Sequence, residues 1–286
     1  MNKELVEQLN KASKAYYNGQ DEIMSNYEWD ALFDELTALE EETGYVLSNS
    51  PTQTAGYEST SGKKEQHEFS ALSLAKTKQV EELVKWAEEY PIWLSWKLDG
   101  CTLVLTYDNG KLTKILTRGN GTVGTNITHL KHAIKGFPLE IPYEGHMVVR
   151  GEAVISYSDF DTINAMIEDD DEKYANPRNL ASGTLNLDDI EAVKQRRVHF
   201  YAFTLVYIED EILSWGDRMD YLKQMKFTVV DHEKGNGQSL PAMINAWTKR
   251  VESGKMDLPV DGLVICYDDT AYASTGSVTG HHATRA

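Results

Sequence analysis

The sequence predicts an α+β fold in which a small helical domain precedes a larger domain of mainly antiparallel strands. Helical periodicity dominates only the first part of the chain. Strand-like apolar runs then follow, with shorter helices interspersed, instead of a regular strand-helix alternation. Residues 56–62 separate the two patterns and are rich in Gly, Ser and Thr, a composition typical of a flexible connection. We therefore expect one domain at 1–65 and a second at 66–286.

Two helices are expected in the first domain, at residues 3–17 and 26–43. Apolar side chains from Trp29 onward recur at three- and four-residue steps, which places them on one helix face. Ser25 and Glu28 have the spacing of a capping box, which marks a helix start. The first domain is therefore predicted to be a helical hairpin.

The second domain is expected to alternate less regularly. The predicted strands are 92–99, 102–107, 111–117, 147–155, 199–207 and 260–267, and the predicted helices lie near 79–90, 158–167, 188–196, 217–226 and 240–253. The clearest strand pair is joined by Asp108-Asn109-Gly110, because Asn-Gly tolerates the positive φ angles of a tight turn. This hairpin indicates antiparallel pairing.

Composition excludes several classes of protein. The chain has 28 Lys and Arg against 45 Asp and Glu in 286 residues, a net charge of −17, so we expect it to bind DNA weakly or not at all by itself. A polar start and the lack of a run of roughly 20 apolar residues predict a cytoplasmic protein without a membrane segment. Cys101 and Cys266 lie in separate apolar runs, which predicts reduced thiols without a disulfide or zinc site. The acidic run 168–172 is expected to be a solvated loop.

Lys97 is the first candidate for chemistry. Alternation along 93–100 places Lys97 and Asp99 on one strand face and Trp96 and Leu98 on the other. A lysine attacks as the neutral amine, so a nucleophilic lysine needs its pKa of about 10.4 lowered by its surroundings. Alone, Lys-x-Asp-Gly is equally typical of a surface ion pair before a turn.

Three further motifs follow in order along the chain. Arg118 opens Arg-Gly-Asn-Gly, where glycines allow close backbone approach to a ligand and the guanidinium offers a planar fork for phosphate or ribose oxygens. Glu152, in Val-Arg-Gly-Glu, lies in an apolar strand and needs a partner or ligand to offset its desolvation. Asp261 opens the apolar strand Asp-Gly-Leu-Val-Ile. Each alone could be a turn, a cap or an ion pair.

Together these motifs resemble the covalent nucleotidyltransferases, the superfamily of DNA ligases, RNA ligases and capping enzymes. Further segments are similar to the bacterial NAD-dependent DNA ligases: Tyr16-Tyr17, Glu28-Trp29-Asp30, Ser50-Pro51-Thr52-Gln53 and Asn176-Pro177-Arg178-Asn179. The resemblance covers essentially the whole chain. It implies a helical domain that binds nicotinamide mononucleotide, followed by an adenylation domain of the antiparallel-sheet, ATP-grasp-like type. It also implies NAD, with Mg²⁺, as the nucleotide donor.

The resemblance implies a role for each candidate residue. Lys97 would attack the adenylyl phosphorus of NAD and form lysyl-AMP, the first step of nick sealing in DNA replication and repair, with Asp99 and Asp261 acting in catalysis beside it. The nucleotide-binding candidates are Ser95, Leu98, Arg118, Glu152, Arg178 and Lys255 around the adenylyl group, and Tyr16, Tyr17, Trp29 and Asp30 around the nicotinamide half, where aromatic rings would stack on the pyridinium. For Trp29, a contact in the core of the helical hairpin is the alternative. No residue is assigned as a metal ligand, and a monomer is expected.

Five positions depart from the family pattern. Ser95 stands where many members have a glutamate, and Asn26 where an aspartate is usual. Asn186 and Cys266 replace a customary arginine and lysine, and Lys255 stands for an arginine. The chain also stops just before the family's last nucleotidyltransferase motif, which implies a truncated ligase that does not seal nicked duplex DNA by itself.

Two alternatives stay open. The departures favour a protein that binds NAD or AMP without forming the adduct. An RNA ligase or capping-type enzyme that uses ATP or GTP is disfavoured by the helical front.

Overall fold

The computed structural model describes residues 2–17, 23–24, 26–43, 47, 50–52, 63–71, 73–74, 77, 79–167, 173–274, 278–279 and 282–283. The helices are α1 Asn2–Tyr17, α2 Asn26–Thr43, α3 Val80–Ala87, α4 Tyr157–Ala165, α5 Pro177–Leu185, α6 Ile190–Gln195, α7 Trp215–Gln224, α8 Leu240–Glu252 and α9 Thr270–Ser274, with a 3₁₀ turn at Thr128–His132. The strands are β1 Lys64–Gln66, β2 Ser73–Leu74, β3 Ile92–Leu98, β4 Cys101–Asp108, β5 Lys111–Thr117, β6 Val123–Thr125, β7 Met147–Val154, β8 His199–Ile208, β9 His232–Gly235, β10 Val260–Tyr267, β11 Val278–Thr279 and β12 His282–Ala283. The predicted α+β class is confirmed.

The front of the chain forms the two helices that the periodicity predicts. Leu5, Val6 and Leu9 of α1 and Leu36 of α2 are buried in one small core. This core closes the hairpin because the spacing of these residues places them on one face of each helix. The predicted cap at Ser25, the Asn18-Gly19 end of the first helix and the acidic run 168–172 lie outside the described residues.

A four-stranded antiparallel sheet, in the order β5-β4-β7-β8, forms the centre of the larger region. The β4–β5 turn is the predicted one: Asn109 and Gly110 have φ angles of 50° and 75°, as a two-residue hairpin turn requires. Leu103 and Leu105 of β4 are buried in the largest core, which α5 and α7 also line. Thr102 and the other alternate residues of β4 therefore belong to the opposite face.

A second antiparallel sheet, in the order β10-β3-β9, carries Lys97 on its central strand. Leu94, Trp96 and Leu98 pack in a core with Met243 and Trp247 of α8. Lys97 lies on the other face of β3. The two smaller sheets are β1-β6 and β11-β12-β2, and the β12–β2 pair is parallel, unlike the predicted antiparallel pairing.

Two elements of the structure were not predicted. Helix α5 lies in a segment whose proline and glycine suggest a loop, but Pro177 occupies the first turn, where the backbone N–H groups have no helical partner. The Asn176 side chain caps this helix by accepting the Asn179 N–H at 2.8 Å. Strand β9 has the polar sequence His-Glu-Lys-Gly and shows no apolar alternation. Its pairing with β3 is a tertiary effect.

None of the helices within the described ranges is long and apolar enough to cross a bilayer.

Candidate active site

A tight turn brings the Lys97 strand against the four-stranded sheet. Strand β3 ends at Leu98, one residue earlier than predicted, and Asp99-Gly100 leads directly into β4 of the other sheet. A side chain on Gly100 would place its Cβ 2.2 Å from the carbonyl oxygen of Ala153 in β7. Only glycine allows this approach. The turn therefore positions Lys97 and Asp99 beside the neighbour of Ala153, which is Glu152.

Lys97 forms an ion pair with Asp261. Its Nζ donates a hydrogen bond to the Asp261 carboxylate, and the two side chains are 42% and 47% exposed. The pairing of β10 with β3 shifts register between Val260 and Gly262, so Asp261 is the extra residue of a β-bulge. Bulges re-aim a side chain, and this one presents a carboxylate to the amine. Asp261 can therefore accept a proton from Lys97.

Asp99 has a different partner. Arg178 Nη1 donates to Asp99 Oδ1 at 2.7 Å, and both side chains are about one quarter exposed. The Asp99 N–H donates to the carbonyl oxygen of Pro259 at 2.9 Å. Arg178 comes from the first turn of α5, so the helix that sequence analysis did not predict supplies this cation. Lys97 and Asp99, expected to share a strand face, are held by separate elements.

Glu152 is paired across the four-stranded sheet. Thr102 lies directly opposite it in the β4–β7 register, and the Thr102 hydroxyl donates to Glu152 Oε2 at 2.9 Å. Burial raises the pKa of Glu152 to about 7, while the positive charges of Arg178 and Arg118 and the Thr102 hydrogen bond oppose this rise. The carboxyl group therefore changes charge near neutral pH. This arrangement supplies the partner that an acid in an apolar strand was predicted to need.

Arg118 begins the turn that connects β5 to β6. Its N–H donates to the carbonyl oxygen of Thr102 at 3.0 Å. Gly119 has a φ of 54°, and a Cβ there would lie 2.0 Å from the carbonyl oxygen of Val123. The Asn120 side chain accepts the N–H groups of Thr122 and Val123 at 3.0 and 2.8 Å. The glycine and the asparagine thus fix the shape of a turn that exposes backbone to a ligand.

The segment from His67 to Ala71 holds this turn from outside. The His67 N–H donates to the carbonyl oxygen of Thr122 at 2.8 Å, and the Ala71 N–H to that of Gly121 at 2.7 Å. His67 Nε2 lies 3.0 Å from the Arg118 carbonyl oxygen. Arg150 donates to the carbonyl oxygen of Ser70 at 3.1 Å, and burial together with Arg118 lowers the pKa of Arg150 to about 10. Two cations therefore lie close together in this part of the site.

Three predicted site residues lie apart from this cluster. Ser95 is buried in the middle of β3, on the same face as Lys97. Leu98 packs in the apolar core of that sheet, so its side chain does not line the site. Lys255 is exposed in the turn after α8.

On the nicotinamide side, only Trp29 has a described side chain. Trp29 Nε1 donates to Ser13 Oγ at 3.0 Å and its ring stacks on Phe33 with centroids 4.9 Å apart. This is the core contact considered as the alternative. Tyr16 and Tyr17 end α1, and Asp30 lies in α2. The side chains of these three residues lie outside the described part of the chain.

The two cysteines are free thiols. Burial raises the pKa of both Cys101 and Cys266 to about 12, which fits the predicted reduced and unreactive state. Sequence reasoning missed Thr102, His67 and Asn120. The motif spacing holds no information on the first two because they contact the motifs through long-range pairing, whereas Asn120 lies inside a motif that was already identified.

Comparison with known proteins identifies relatives over almost the whole chain. A family model described as the NAD-dependent DNA ligase adenylation domain matches residues 62–283, and one described as the DNA ligase-like, N-terminal NAD⁺-binding domain matches residues 2–56. The DNA ligase of Lachnoclostridium phytofermentans is 44% identical over 275 residues, covering 95% of this chain and 42% of that protein. The DNA ligase of Ruminiclostridium cellulolyticum is 43% identical over 276 residues, covering 96% and 42%. The chain thus spans about two fifths of the length of these relatives.

Proposed function

The chain belongs to the NAD-dependent DNA ligase family, and from this premise we propose that it carries out the adenylation step, with Lys97 as the nucleophile. The observation that carries this proposal is the Lys97–Asp261 pair at the bulge of β10. It supplies an amine and a proton acceptor at the end of the strand that leads into the Gly100 turn. The match of the N-terminal NAD⁺-binding model supports NAD as the nucleotide.

The proposed step forms one bond and breaks one. The neutral amine of Lys97 attacks the adenylyl phosphorus of NAD, and a P–N bond forms. The bond from this phosphorus to the bridging oxygen breaks, and nicotinamide mononucleotide leaves with the electron pair on its phosphate. The proton of the amine passes to Asp261, the acceptor already in contact with it. The product is lysyl-AMP.

The surrounding groups would hold the nucleotide. Glu152 would accept a hydrogen bond from the ribose, and Arg118 would contact ribose or phosphate oxygens at the glycine turn. Arg178 would fix Asp99 in place through their 2.7 Å contact. Ser95 stays a candidate for the adenine because it shares the Lys97 face of β3.

Other predicted residues would act differently. Leu98 would support the site from the core, and Lys255 would contribute only if its turn approaches the nucleotide. Tyr16, Tyr17, Trp29 and Asp30 are proposed to hold the nicotinamide half.

Mg²⁺ fits this site only as an ion carried by the substrate. Within the described ranges, no group of three or more His, Cys, Asp or Glu side chains could hold a metal ion. Mg²⁺ is commonly bound through substrate phosphates, retained waters and one or two carboxylates, so the phosphates of NAD would be its main ligands. When bound it would neutralise negative charge on the phosphates.

In the whole protein we propose that the AMP is passed on to nicked duplex DNA. The net charge of −17 supports weak or no DNA binding by this chain alone.

The test is an intact-mass measurement after incubation with NAD and Mg²⁺. We expect a gain of one AMP in the parent chain and in Lys111→Ala, which removes an exposed lysine of β5, but not in Lys97→Ala. An adduct that persists in Lys97→Ala would refute the nucleophile, and faster labelling with ATP than with NAD would refute the donor. A rise in melting temperature with NAD but no mass gain would instead identify a binding protein without adenylation activity.

A further inference from the structure

Thr102 lies between two of the groups proposed to hold the nucleotide. It belongs to β4, which is flanked by β5 and β7 in the four-stranded sheet. On one side, its hydroxyl donates to Glu152 of β7 at 2.9 Å. On the other side, its carbonyl oxygen accepts the N–H of Arg118, just beyond β5, at 3.0 Å. One residue therefore touches both the carboxylate and the cation-bearing turn.

The geometry of this residue restricts the Glu152 side chain. Thr102 and Glu152 are direct cross-strand neighbours, so their side chains project from the same face of the sheet. A threonine side chain is stiff at χ1, so its hydroxyl is a donor at a fixed position. Its bond to Oε2 leaves Oε1 of Glu152 available for another donor.

We propose that Thr102 is a positioning residue of the adenylation site, whose hydroxyl holds the Glu152 carboxylate in the orientation that accepts a hydrogen bond from the ribose of NAD. This inference rests on the proposed function, because Glu152 matters for NAD only if NAD binds here. Thr102 itself does not touch the reacting atoms.

The charge state of Glu152 gives the hydroxyl a second effect. The Thr102 hydrogen bond is one of the interactions that oppose the rise of the Glu152 pKa. A hydroxyl donor stabilises the ionised carboxylate. Without it, a larger fraction of Glu152 is protonated near neutral pH, and a protonated carboxyl is a poorer acceptor for the ribose.

Thr102→Val tests this role because valine keeps the β-branched shape and the backbone bond to Arg118 but removes the donor. A ribose contact acts equally in the ground state and the transition state, so its loss raises KM and leaves kcat nearly unchanged. We expect KM for NAD to rise about tenfold at pH 7, as for the loss of one hydrogen bond to a charged group. The increase should be smaller at pH 9, where Glu152 is ionised in both proteins.

Two variants serve as controls. Thr102→Ser restores the donor and should return KM to within about threefold of the wild-type value, because serine keeps the hydroxyl but not the stiff rotamer. Thr106→Val makes the same chemical change on the same face of β4, four residues from the site, and should not change KM or kcat. Equal KM values in Thr102→Val and wild type at pH 7 would overturn the proposal, as would a Thr102→Ser variant that behaves like valine.

A carboxyl titration by ¹³C NMR gives a readout that needs no activity. The pKa of Glu152 should be about one unit higher in Thr102→Val than in wild type and should return in Thr102→Ser. If wild type forms no adduct, the proposed function fails, and the titration still decides whether Thr102 controls Glu152. If wild type forms the adduct and the Glu152 pKa is unchanged in Thr102→Val, the positioning role fails while the proposed function stands.

Discussion

Asp261→Asn is the most informative perturbation of the proposed chemistry, because it removes one charge and keeps the shape of the side chain. Two opposite effects follow. Without the neighbouring carboxylate, the ammonium of Lys97 loses its proton more readily, which favours attack on the phosphorus. Without the same carboxylate, the proton released during the attack has no acceptor, which slows the reaction.

The exposure of the pair decides which effect is larger. With side chains 42% and 47% exposed, the Lys97–Asp261 pair contributes about 0–1 kcal/mol, so the fraction of neutral amine rises by at most about fivefold. A positioned general base accelerates proton transfer by about 10²- to 10⁴-fold. We therefore expect adduct formation to slow by roughly 20-fold or more in Asp261→Asn. The melting temperature should change by no more than about 4 °C, as expected for up to 1 kcal/mol.

The assay is single-turnover adduct formation at saturating NAD, quenched in acid and followed by intact mass, with a thermal melt of each protein. Asp231→Asn is the matched control, because Asp231 forms a similarly exposed pair with Arg250 at 2.8 Å away from Lys97. The control should keep the wild-type rate. The rate of Asp261→Asn should climb with pH towards the ordinary lysine pKa of about 10.4, since hydroxide then removes the proton. An unchanged or faster rate at neutral pH, with an unchanged melt, would refute the role of Asp261 as proton acceptor.

Three further predictions concern the groups around Lys97. Gly100→Ala should lower both the melting temperature and the rate of adduct formation, because its Cβ would lie 2.2 Å from a backbone oxygen; a wild-type melt would contradict the close approach. Arg178→Ala should slow adduct formation more than it lowers the melting temperature, since it leaves the one-quarter exposed Asp99 without its partner; an unaffected rate would show that Asp99 needs no positioning. Burial holds the Glu152 pKa near 7 in the folded protein, above the ordinary 4.5, so the folded state binds the extra proton and stability falls as pH rises from about 4.5 to 7. Glu152→Gln should therefore raise the melting temperature at pH 8 more than at pH 5, and an equal effect at both values by calorimetry would contradict the raised pKa.

The parts of the fold that local chemistry decides could be predicted from the sequence. The Asp108-Asn109-Gly110 hairpin follows from positive φ angles that two adjacent residues must adopt. The helical periodicity of 26–43 needed no information from the rest of the chain. By contrast, α5 begins with a proline that is also typical of loops, and only the Asn176 cap distinguishes the two.

The contacts that give the site its chemistry are long-range and could not be predicted from motif spacing. Asp261 was identified as a lone acid in an apolar strand, but its contact with Lys97 depends on the bulge opposite β3. Arg178 was assigned to the nucleotide, whereas it contacts Asp99 from a helix that was not expected. Thr102 carried no sequence pattern, because its importance comes from the cross-strand register with Glu152. Register joins residues that are 50 positions apart, and no local periodicity encodes it.

The division of the site between two sheets explains why a short turn is decisive. The proposed nucleophile and its proton acceptor belong to the β10-β3-β9 sheet, while Glu152, Thr102 and the Arg118 turn belong to the β5-β4-β7-β8 sheet. Only Asp99 and Gly100 connect β3 to β4 directly, and Gly100 is in contact distance of the residue next to Glu152. A change in this turn would move the amine relative to the groups that hold the nucleotide, and displacements of about 1 Å can cost 100-fold in rate. The glycine after Lys-x-Asp is therefore as necessary to the proposed chemistry as the charged residues, although it carries no reactive group.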